Sequence, residues 1–148
     1  MKDLSNSIAT ALSHKVAVTT AASNGTGVDL QGYEGATVVV TIGAEGDTLS
    51  GSVFFEIGLE ESDDNSTFTD VTSNTDVTGG TVDSSGVFQT IDANADCNKV
   101  YAIGYVGGKR YSRVVLNFSG THGTGTISGV VGVKGHPLHG PAATEANQ

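Results

Sequence analysis

The chain has 148 residues, with 16 acidic and 7 basic side chains and a formal charge of −9. That length suits one domain able to bury a core without disulfides or metals, and the acidic balance argues against steering toward nucleic acid or an anionic membrane. Twenty-one glycines, no tryptophan and a single cysteine, with Ser and Thr between short apolar runs, exclude a helical bundle and a disulfide scaffold.

Residues 1–14 read as an N-terminal arm. Leu4, Ile8 and Leu12 recur every four residues, and Asp3 or Ser5 can cap a short helix. Such a stripe is too short to be a stable helix alone and needs the domain or another subunit to pack against. The start lacks the apolar run of a secretory signal, so none is expected. No apolar stretch approaches the roughly 20 residues of a membrane helix.

The body, 15–135, reads as one β-domain. "KVAVTT" (15–20) is a first strand, "VDLQG" (28–32) a short one, and "ATVVVTIG" (36–43) places Val38, Val40 and Ile42 on one face. "SVFFEIGLEES" (52–62) has the clearest alternation: Val53, Phe55, Ile57 and Leu59 face one way, Ser52, Glu56, Gly58 and Glu60 the other. "DDNS" (63–66) is a turn and "TFTDVT" (67–72) its return strand. Residues 73–86 are polar and weakly patterned, and read as a long mobile loop. "VFQTI" (87–91) is a strand.

"VYAIGYV" (100–106) and "RYSRVVLNF" (110–118) flank "GGK" and read as a hairpin whose turn uses Gly107 and Gly108 at positive φ. "TISGVVGVKG" (126–135) is the last strand, with Ile127, Val131 and Val133 inward. Residues 136–148 form a tail that Pro137 and Pro141 keep irregular. The expected fold is all-β: a single antiparallel β-sandwich or barrel-like domain of about eight strands.

No constellation points to catalysis. There is no G-x-S-x-G elbow, P-loop or dinucleotide fingerprint, and surface acids alone do not select a catalytic pair. "ESDDNSTFTD" (61–70) is oxygen-rich but lacks the glycine and terminal glutamate of a calcium loop, so a solvated turn is expected. Cys97 reads as a small semi-buried residue. His136 and His139 stand three apart around Pro137, which opposes a metal-binding helix turn. His136, Pro137 and Leu138 read instead as a tail segment that docks on a neighbour. No enzyme activity, metal or cofactor is expected. Lys109, Arg110 and Arg113 have two readings: the solvated end of a hairpin, with Arg113 spread over a tyrosine or paired with an acid, or contacts to an acidic protein neighbour.

Five segments taken together carry a resemblance: "MKDLSNSIA" (1–9), "VDLQGYEGATVVV" (28–40), "FEIGLEESDDNSTFTDV" (55–71), "VGGKRYSRVVL" (106–116) and "GVVGVKGHPLHGP" (129–141). In this order they resemble a family of small proteins encoded in the head-gene region of tailed bacteriophages, prophages and gene-transfer-agent-like clusters. The resemblance spans nearly the whole chain except 73–86, and it brings no functional residues to transfer. It implies a virion structural protein made in the bacterial cytoplasm, best a capsid decoration (cement) protein on the outer surface of the head. Its partners would be the major capsid protein and further copies of itself, in trimers for example, without nucleic acid or membrane. Leu4, Ile8 and Leu12 would be apolar anchors, and Lys109, Arg110 and Arg113 contacts to acidic groups. A head–tail connector or tail protein and a carbohydrate-binding attachment module are the alternatives, the last weakened by the scarcity of aromatic rings.

Overall fold

The alternation of residues 52–62 builds the centre of a sheet. The computed structural model describes residues 4–139. These form β1 (Ile8–Thr19), β2 (Ser23–Asn24), β3 (Val28–Asp29), β4 (Tyr33–Glu45), β5 (Phe54–Ser62), β6 (Thr69–Asp70), β7 (Val77–Thr78), β8 (Val87–Ile91), β9 (Lys99–Tyr105), β10 (Tyr111–Ser119) and β11 (Thr126–Pro137). All pairings are antiparallel. Sheet A runs β1-β11-β4-β9-β7; sheet B runs β2-β10-β5-β6, with β3 also on β10 and β8 on β5. The two sheets pack as a sandwich, not a closed barrel.

The core lies between them. Sheet B contributes Phe55, Ile57 and Leu59 from β5 and Val114 and Leu116 from β10. Sheet A contributes Val38, Val40 and Ile42 from β4, Ile103 and Tyr105 from β9 and Val130 from β11. Each fully buried aliphatic side chain is worth about 1.5–3 kcal/mol relative to exposure. Phe55 also stacks on Phe118, with ring centroids 4.9 Å apart.

Four expectations need correction. The arm is not helical: Ile8–Thr19 is one strand, paired along β11 from Ile8↔Gly135 to Thr19↔Thr126. A four-residue spacing is also two strand periods, so Ile8 and Leu12 share a face in a strand as they would on a helix.

Secondly, β9 and β10 are not a hairpin. β9 pairs with β4 and β7 in sheet A, and β10 pairs with β5 in sheet B. Residues 106–110 therefore cross between the sheets. Neither Gly107 nor Gly108 has a positive φ. Gly107 is needed for close approach, because a Cβ there would stand 2.5–2.6 Å from the Tyr105 ring and hydroxyl.

Thirdly, the faces of β11 are reversed. Thr126, Ser128, Val130, Gly132 and Lys134 are buried and point inward, whereas Ile127 and Val131 are exposed and Val133 is half-buried. Lys134 is only 2% exposed, and its ammonium lies 4.8 Å from the Tyr33 ring centroid. The cation thus sits against a π face, with its stem in the apolar layer.

Fourthly, residues 73–86 are tied to the fold. Val77 and Thr78 pair with Tyr105 and Gly104, and Val77 and Val82 are buried. Asn74 Oδ1 accepts the Val82 N–H at 2.7 Å, and the Val106 N–H donates to Asp76 O at 2.8 Å. The expected tail begins inside β11, where Pro137 pairs with Tyr33. The remainder of that tail from residue 140 lies outside the described residues.

Candidate interaction surface

The three cations singled out in the sequence all find acids within the chain. Arg113 and Glu60 face each other across β10 and β5, and Arg113 Nε donates to Glu60 Oε2 at 2.6 Å. Both side chains are 18% exposed, and the guanidinium lies 3.9 Å from the Phe68 ring centroid. Arg110 grips Asp29 with two bonds, from Nε at 3.0 Å and Nη2 at 2.7 Å. That hydrogen bonding holds the Asp29 carboxyl below its ordinary range. Lys109 Nζ donates to Asp63, and the pairing raises the lysine's pKa.

Tyr105 anchors this crossover from below. It is fully buried, its hydroxyl donates to Glu61 Oε2 at 2.6 Å, and the Tyr105 hydroxyl oxygen accepts the Lys109 N–H at 3.1 Å. Burial, reinforced by Glu61, pushes the phenol pKa well up. The phenol thus fixes where residues 107–109 leave sheet A. Sequence reading missed this residue because Tyr105 carries only the signal of an inward strand position.

Most of the other proposed contact residues gather at the same end. An open groove is lined by Ile8, Glu34, Gly35, Tyr105, Val106 and His136, among others. Its floor lacks side chains where Gly135 pairs with Gly35. A second groove beside it shares Glu34 and is lined by Tyr33, Asp63, Lys109 and Arg110. Pro137 pairs with Tyr33, and the Leu138 N–H donates to Gly32 O at 2.9 Å. Leu138 is exposed, as is Leu4. His136 adopts φ +53, the left-handed region that few non-glycine residues adopt. Ile8, Lys109, Arg110, His136, Pro137 and Leu138 therefore share one end; Leu12 lies along sheet A and Arg113 on sheet B.

The outer faces of the two sheets differ in kind. Sheet B turns Glu56, Glu60, Arg113 and Asn117 outward. Sheet A turns out Leu12 from β1, Val131 from β11, Val39 from β4 and Ala102 from β9 as one cross-strand row. The next rows add Val100 opposite Thr41, and Val18 opposite Ile127. At the outward positions of β11, β4 and β9 there is no ionisable side chain between Ile127 and Gly135, Thr37 and Gly43, or Val100 and Gly104. Composition gives no hint of this, since Ile127, Val131 and Val133 of β11 read as inward.

The remaining reactive groups serve the scaffold. The Asp64 carboxylate accepts the Ser66 and Thr67 N–H groups, each at 2.8 Å, and the Ser62 hydroxyl at 2.9 Å, and this brings its pKa to about 2. It closes the turn between β5 and β6. Burial and then Glu45 push the Cys97 thiol up to about 11, which suits a core residue and not a thiolate nucleophile. His122 is buried, with its Nε2 between Ser119 O at 3.0 Å and Phe54 O at 3.2 Å. His14 Nε2 lies 2.7 Å from Ser23 Oγ, which links β1 of sheet A to β2 of sheet B. Among the described residues no three His, Cys, Asp or Glu side chains cluster as metal ligands. No protein-family model, curated protein or solved structure matches the chain.

Proposed function

We propose that the chain is a virion structural protein, a capsid decoration protein bound to the outside of a tailed-phage head. The observation that carries this reading is the division of the surface: a rigid acidic sandwich offers a broad uncharged sheet face and a shallow end built from Ile8, His136, Pro137 and Leu138. Broad, shallow surfaces of this kind suit protein contact better than enclosure of a small molecule. The end residues, with Leu4, would lie on the major capsid protein, and the acidic side would face solvent. Copies on a symmetric shell repeat a modest contact many times, so the shell gains mechanical resistance without a tight single interface.

The test is made on particles purified with and without this protein. Hundreds of copies per head, together with greater resistance to heat or osmotic shock, are expected. A dozen or fewer copies would assign the chain to the head–tail connection, and absence from purified heads would remove the reading altogether.

A further inference from the structure

We propose that the outer face of sheet A is a self-association surface on which a second copy of this chain packs face to face. Six large aliphatic side chains are exposed there: Leu12, Val16 and Val18 of β1, Ile127 and Val131 of β11, and Val100 of β9. Val16 is 73% exposed and Val100 63%. An antiparallel sheet that meets water on one side normally turns polar residues outward; sheet B turns out ions, whereas sheet A turns out threonines such as Thr37 and Thr41 among these aliphatic side chains.

Three observations identify the occupant. The first is charge. With no ionisable group at the outward positions of β11, β4 and β9 from Ile127 to Gly135, Thr37 to Gly43 and Val100 to Gly104, two chains of −9 can meet here while their acidic sides point away from each other. The second is size. β1, β11, β4 and β9 have 12, 12, 13 and 7 residues. At strand spacings of about 4.8 Å and rises of about 3.3 Å they offer a footprint of roughly 700 Å², close to the roughly 800 Å² per partner of a standard stable interface. The third is the chain's own remainder. Residues 1–3 and 140–148 contain no branched aliphatic or aromatic side chain with which to cover the face. Two such sheets stack at about 10 Å with their side chains interleaved, and a twofold axis makes one patch serve both copies.

The surface is tested apart from the decoration role, because the purified full-length chain needs no capsid. Sedimentation velocity at about 100 µM should give a species of twice the chain mass. Raising salt from about 0.05 to about 0.5 M should tighten it, since only the long-range repulsion is screened. Val100→Lys, three strands from the free edge of β1, should weaken dimerisation by more than about 100-fold by burying a like-charged pair, while Asn117→Lys on the outer face of sheet B leaves it unchanged. Val131→Lys, on the inner strand β11, supplies the same test should Val100→Lys not fold, as judged by its urea midpoint. A monomer at this concentration, a dimer that loosens in salt, or an assembly indifferent to Val100→Lys overturns the proposal. A trimer does so too, and so does an edge-to-edge dimer through β1, which would respond to Val18→Lys and not to Val100→Lys.

Discussion

Sheets A and B share one core, yet their outer faces are governed by opposite rules. Sheet B pairs its cations with acids: Arg113 with Glu60 on the sheet itself, Arg110 with Asp29 and Lys109 with Asp63 at its end. Sheet A carries no outward ions on its inner strands and leaves Leu12, Val18, Val100 and Ile127 in water. The difference teaches that the fold does not need sheet A's outer side chains. Hydrophobic burial between the sheets supplies the folding energy, and residues exposed in the isolated chain add little to it.

The sharpest way to break that contrast is on β9, where inward and outward positions alternate. Ile103→Ala, at a site 1% exposed, is expected to cost about 2–5 kcal/mol in urea unfolding. Val100→Ala, three residues away and facing out, should stay within about 0.5 kcal/mol. Equal losses at the two positions would mean that the outer face is already covered within the chain.

On sheet B the corresponding break is Arg113→Ala. It leaves Glu60, 18% exposed, without its 2.6 Å donor and Phe68 without its cation. A loss of about 1–3 kcal/mol in urea unfolding is expected, because a partly buried carboxylate loses its partner. Glu60→Gln together with Arg113→Met should recover part of the loss, since both charges are then gone.

A smaller effect is expected at the exposed pairs. Lys109→Ser with Arg110→Ser should leave the urea midpoint unchanged within error, since exposed ion pairs contribute little. On decorated particles the double variant should lower occupancy less than Leu138→Asp, because both cations already have acids in the chain and Leu138 has none of its exposed surface covered. Occupancy that collapses with the cations and survives Leu138→Asp would return Lys109 and Arg110 to the centre of the contact.

What was legible in the sequence was local. β5 could be read residue by residue, because polar and apolar positions alternate along it with Phe54 the exception. The turn at 63–66 was equally readable, since Asp64 and Asn65 carry their own backbone hydrogen-bonding chemistry. Sheet membership was not, because alternation in β9 and β10 is the same whether they pair with each other or cross between sheets. The faces of β11 failed for a related reason. With Val130 in and Val131 out, apolar residues occupy both faces, so periodicity no longer identifies the core side, and buried Lys134 points against the rule that charge faces water. The outer face of sheet A was invisible on the same account: with Ile127 and Val131 read as inward, the apolar side of β11 goes to the core.

Acid gives the mildest test of the contrast. Asp64 sits at about 2, below its ordinary 3.8, because two backbone N–H groups and the Ser62 hydroxyl donate to its ionised form. A depressed folded pKa means that the contribution is complete above about pH 4 and is lost as pH falls toward about 2. Asp64→Asn should therefore flatten the fall in stability over that window by lowering the urea midpoint at pH 4 and pH 7 while leaving that at pH 2 little changed. Asp29 and Asp47 are held low in the same direction, by Arg110 and by the N–H groups of residues 123–125, so the variant should remove only part of the slope. Self-association through sheet A should instead strengthen as pH falls from 7 toward the isoelectric point of about 4.6, where the repulsion between copies fades, and weaken again below it as the net charge turns positive. Association that peaks near pH 4.6 while stability is lost only below about pH 4 would separate the two surfaces in one titration.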